Sequence, residues 1–133
     1  MMVLKGRTMV LGMIIASTVS GCASLGLFQT PEERVEQRAQ ERLDALMARD
    51  MEKAFSFFSP AYRKTTTWQR FSGKYAGVTN WREATLKSVE CEVDRCDVNI
   101  SIRYQMIRPK VENTRTQKEV WIEVGGEWYF YPR

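Results

Sequence analysis

The sequence predicts an α+β domain in which N-terminal helices pack on one face of a curved four-stranded antiparallel sheet. Three observations point there. Between residues 31 and 80, apolar side chains recur at steps of three and four, the period of a helix with one buried face. After Asn80 the period drops to two, as in a strand with one buried face. Gly125 and Gly126 separate two alternating runs, the pattern of a two-residue hairpin turn.

The helices are marked at their starts. Thr30 is a natural cap, Pro31 suits the first helical position and Glu33 completes a capping box. Val35, Ala39, Leu43, Leu46 and Met47 then form one face of a first helix. Asp50 caps a second, "MEKAFSFFS", with Ala54, Phe55 and Phe58 inward. Ser59 and Pro60 stop it and begin a brief turn, "PAYRKT". Thr67 caps a third short helix, "WQRFSGKYAG", whose end Gly73 and Gly77 loosen.

The strands follow. "WREATLKSVECE" is the first. In "CDVNISIRYQM" the side chains of Cys96, Val98, Ile100, Ile102, Tyr104 and Met106 face one way, and those between them the other. Pro109 ends this strand. "TQKEVWIEV" is the third and "EWYFYPR" the fourth. The turn at Gly125 and Gly126 puts Trp121, Trp128 and Phe130 on one sheet face, while Trp68 and Trp81 come from the helical side. These five aromatics are the candidate lining of a pocket or docking patch. Their other reading is plain core, since aromatics dominate small-domain cores.

The chain begins differently. Lys5 and Arg7 precede "MVLGMIIASTV", an apolar run with the length of a signal-peptide core. It is too short for a bilayer, which takes about 20 apolar residues. Without Lys5 and Arg7 the balance is 18 basic against 16 acidic residues, too even to argue for nucleic acid. Residues 19–22, "VSGC", resemble the bacterial lipobox, with Val19 where that pattern prefers Leu. The resemblance implies that residues 1–21 are removed and that Cys22 carries lipid. It also implies a protein anchored in the bacterial envelope. Two or more acyl chains hold stably where one is marginal. Ala23, where an aspartate would signal inner-membrane retention, resembles the outer-membrane default, facing the periplasm. Residues 22–30 then form the lipidated cysteine and a short tether, reaching about 25 Å at most, and residues 31–133 a single domain.

With Cys22 assigned, Cys91 and Cys96 remain, in an exported and oxidising setting. Flanking a four-residue loop between the first two strands, they stand opposite each other at cross-strand separation and are expected to form a disulfide. Zinc is the rival. The sequence has no histidine and only these two thiols.

The order of elements, with "ALMARDMEKAFSFFSPAYR" and the closing "VWIEVGGEWYFYPR", resembles the nuclear transport factor 2-like superfamily. That cone-shaped fold also includes ketosteroid isomerase and scytalone dehydratase. The alternative is a cystatin-like arrangement, with one helix on its sheet. The resemblance implies a pocket between helices and sheet, and no activity. A histidine-based dehydratase site has no counterpart here. An isomerase site needs an acid beside a tyrosine. Tyr62, Tyr75 and Tyr104 are present, as are Asp44, Asp94 and Asp97, and no spacing selects a pair. The leading expectation is a non-catalytic binding domain, anchored by lipid on Cys22 and docking an envelope protein, with no cofactor. A carrier of a small apolar ligand comes second and an isomerase-like enzyme third.

Overall fold

The structure is a computed structural model that describes residues 29–133. The expected signal segment and Cys22 lie outside the described residues. Helix α1 (Pro31–Met47) starts at the capping box read from sequence: Thr30 Oγ1 accepts from the Glu33 amide at 3.2 Å, and the Glu33 carboxylate accepts from the Thr30 amide at 2.9 Å. Two residues past its end, Arg49 has a φ of 60°, in the left-handed region, and turns the chain back. Helix α2 (Met51–Ser56) begins where Asp50 accepts from the Lys53 amide. Residues 60–65, expected as a turn, are a helix, α3 (Pro60–Thr65), because Ser59 caps it and Pro60 takes its first position. Helix α4 (Trp68–Lys74), capped by Thr67, passes into a 3-10 segment, Ala76–Asn80.

Four strands follow in a meander: β1 (Trp81–Cys91), β2 (Arg95–Gln105), β3 (Glu112–Val124) and β4 (Glu127–Tyr131). All neighbours are antiparallel. Gly125 and Gly126 both have positive φ, 61° and 83°, as a two-residue hairpin of this hand requires. Cys91 pairs directly with Cys96 and is disulfide-bonded to it. The turn is tighter than expected, since the Glu92 amide already donates to the Arg95 carbonyl. Strand β3 begins four residues earlier than expected, at Glu112 rather than Thr116. Its first half is polar on both faces, so alternation gave no signal there.

The core lies between α1 and the inner sheet face. Val35, Ala39, Leu43 and Leu46 meet Cys96, Val98, Ile100 and Ile102, all with no exposed surface. Two expected members are not core. Met47, at the last turn of α1, is 37% exposed, and Met106, just past β2, is 38% exposed. On the outer face, Asp97 is flanked by Arg95 at 3.0 Å and Lys118 at 3.1 Å, which together hold its carboxyl below the usual range.

Candidate functional site

The inner faces of β3 and β4 divide sharply. Trp121 (0% exposed), Trp128 (1%) and Phe130 (6%) are buried against Phe57 and Phe58 from the end of α2. The Phe58 ring meets Phe130 at 5.1 Å and stacks on Tyr62 at 4.7 Å. These aromatics fill the cone. The space that an apolar ligand would need is taken by their own side chains. Trp68 was placed with them from sequence, but it is 46% exposed on the outside of α4, against Phe55 and Phe71. Trp81 does not come from a helix. It opens β1 and is half-buried.

Trp81 lines a polar recess of about 200 Å³. This recess lies between the α4 end and the inner face of β3, lined also by Arg42, Lys74, Tyr75, Arg115 and Glu119. Sequence reasoning missed its floor. Arg42 and Glu119 are both buried, and Arg42 Nη1 stands 2.6 Å from Glu119 Oε1. Trp121 Nε1 donates to the other carboxylate oxygen at 3.4 Å. Arg42 Nη2 donates to the Tyr75 hydroxyl at 2.9 Å, and the guanidinium lies 3.9 Å from the Phe130 ring centroid. Its Nε has no hydrogen-bond partner among the described residues.

The signal for both residues was there. Glu119 has the same strand parity as Trp121, so an inward Trp121 makes Glu119 inward. Arg42 stands three residues after Ala39 and seven after Val35, on the buried face of α1. Their polarity hid them. Burial pushes the Tyr75 hydroxyl pKa above its ordinary value, against the pull of the Arg42 charge.

The acids named from sequence lie elsewhere. Asp44 is exposed and accepts from Gln40, Asp94 is at the exposed hairpin tip, and Asp97 faces outward. The carboxylate beside a tyrosine is therefore Glu119, and it is already held by Arg42 and Trp121. Among the described residues, no group of three or more His, Cys, Asp or Glu is arranged to hold a metal, and no helix is long and apolar enough to cross a membrane.

No protein-family model matches the sequence, and none of the curated proteins is significantly similar to it. Solved structures are. A SEC-C motif containing protein from Rhodopseudomonas palustris superposes with a TM-score of 0.58 at 16% identity, over 73% of this chain and 74% of that one. A ketosteroid isomerase-like protein from Erwinia carotovora atroseptica gives 0.51 at 13%, over 77% and 92%. A nuclear transport factor 2-like protein of unknown function from Burkholderia pseudomallei gives 0.50 at 14%, over 70% and 83%. The chain has the nuclear transport factor 2-like fold. A cystatin-like domain sets one helix before its sheet, and here four precede it. At these identities the nuclear transport factor 2-like neighbours speak for the fold alone. The site must be read from its own residues.

Proposed function

We propose that this protein is a lipoprotein of the bacterial envelope, held by lipid on Cys22, whose cone domain binds a partner protein and performs no chemistry. One observation carries the second half: the buried carboxylate of the recess, Glu119, is committed to Arg42 at 2.6 Å. General acid–base work needs a group within hydrogen-bond reach of the substrate's proton, and both oxygens of this carboxylate are taken, by Arg42 and Trp121. The filled cone supports the same reading, since substrate sites are open clefts lined mostly by apolar groups. The lipobox resemblance of residues 19–22 and the short tether support the anchor. A tether this short would keep the domain close to the membrane surface, within reach of a partner in the same envelope, with the outer membrane's periplasmic face as the proposed site.

Two measurements test this. Cells grown with radiolabelled palmitate should label the wild type and not Cys22→Ser, which accumulates as uncut precursor. Label on the variant would refute the lipid site. Crosslinking in intact cells, followed by pull-down through the anchored protein, should recover one envelope protein at comparable stoichiometry. Recovery of nothing specific contradicts the binding role.

A further inference from the structure

The sheet has three free margins, and they are not equally defended. Unpaired edges invite another strand, and natural proteins blunt them with bulges, charge or cover. The edge of β1 is broken by two register shifts, between Trp81 and Glu83 and between Leu86 and Ser88. The edge of β4 is covered: the Phe130 amide donates to the Phe57 carbonyl at 2.8 Å, and Phe58 forms a bridge with Phe130. The third margin belongs to β3. Strand β4 pairs with it only from Val120 to Val124, so Glu112 to Glu119 has no neighbour on that side. Its pairing with β2 runs without a register shift, so this edge is straight.

A second recess of about 200 Å³ lies along this margin. Four consecutive residues, Gln117 to Val120, line it together with Tyr131 and Arg133. Consecutive strand residues alternate in face, so a hollow that touches all four opens on the strand's edge. It shares Lys74, Tyr75, Gln117 and Glu119 with the recess under Trp81. The unpaired charge around the two recesses is one-sided. Lys74, Arg115 and Arg133 have no ion-pair partner among the described residues, while Glu119, the carboxylate lining both recesses, is neutralised by Arg42.

We propose that the Glu112–Glu119 edge of β3 takes up an extended acidic segment of a partner protein as an added strand. Resting on the binding role above, this names where the partner docks and by what chemistry. Main-chain hydrogen bonds along β3 hold the segment. Its inward side chains, alternating, drop carboxylates toward Arg115 and Lys74 beside the Trp81 wall. Such a complex weakens with salt.

The test uses the full chain, purified from membranes in detergent. Its probe is a fluorescein-labelled peptide, acetyl-Thr-Glu-Val-Glu-Val-Glu-Thr-amide, read by anisotropy. The peptide should bind, and amides in residues 112–119 should gain hydrogen-exchange protection. A lysine-for-glutamate analogue and an analogue N-methylated at alternate amides should each bind at least about tenfold more weakly. Arg115→Glu and Lys74→Glu, both at exposed positions, should weaken binding about tenfold without lowering the melting temperature. Equal binding of the N-methylated analogue means that charge alone is recognised, and overturns strand addition. So does protection at another element, or no binding. If the peptide fails while crosslinking still recovers a stoichiometric partner, the edge proposal falls and the binding role stands.

Discussion

Strand β3 is two different objects end to end. From Val120 to Ile122 it lies between β2 and β4, and Glu123 and Val124 carry on the pairing with β4, with Trp121 fully buried beneath. From Glu112 to Glu119 it has one neighbour, and most of its side chains are exposed. The C-terminal half is held by the area that it removes from water. The N-terminal half ends on an ion pair that must be complete to be tolerated, because a buried charge without its partner is costly. One strand thus joins a sealed apolar core to a polar recess, and Glu119 stands at the join. Stability should concentrate in one half and recognition in the other.

Among packing changes, the largest effect is expected in the sealed half. Trp121→Ala should cost about 3–5 kcal/mol in chemical denaturation, since the ring is fully buried and packs 6.3 Å from Phe57 and 6.1 Å from Phe130. A loss below about 1 kcal/mol would mean that the cone is looser than described.

Removing the disulfide should matter less. Cys91 and Cys96 are five residues apart, and closing so small a loop contributes about 2 kcal/mol. The double Ser variant should melt roughly 10 °C lower with an unchanged far-UV spectrum, because the alternation from Val98 to Tyr104 still sets the register. Thiol titration of the unfolded, unreduced mature domain should find none free.

Alkaline pH probes the join. A raised Tyr75 pKa means that the folded state keeps a proton which the unfolded chain releases near pH 10. This contribution is intact below that pH and is lost as pH rises through the folded value. Ultraviolet titration should show a late-ionising tyrosine that Tyr75→Phe removes. In the open half, Arg115→Ala should change stability by no more than about 0.5 kcal/mol. A larger loss would move Arg115 from the binding margin into the fold's support.

The contrast also explains what could be read from sequence. The helix caps at Thr30, Asp50 and Thr67, the alternation of β2 and the paired glycines are local signals, and each element they mark is present. The sealed half was legible because burial and apolarity coincide at Trp121, Trp128 and Phe130. The recess was not. Its floor consists of an arginine and a glutamate, residue types that are mostly exposed, and they meet across 77 positions of sequence. Trp68 failed for the opposite reason: its size suggested burial, but it lies on the outer side of a short helix. No local pattern marks where β4 stops short of β3.

The Arg42–Glu119 pair is where a locked, non-catalytic recess can be told from a poised one. A double-mutant cycle with Arg42→Met and Glu119→Leu measures it, by denaturant unfolding at neutral pH. Each single variant should lose about 3–5 kcal/mol by stranding the other charge. The double variant should recover most of that, losing no more than about 1–2 kcal/mol, a coupling of at least about 4 kcal/mol between the two sites. Additive losses, or a Glu119→Leu variant as stable as the wild type, would contradict a carboxylate held in place by Arg42.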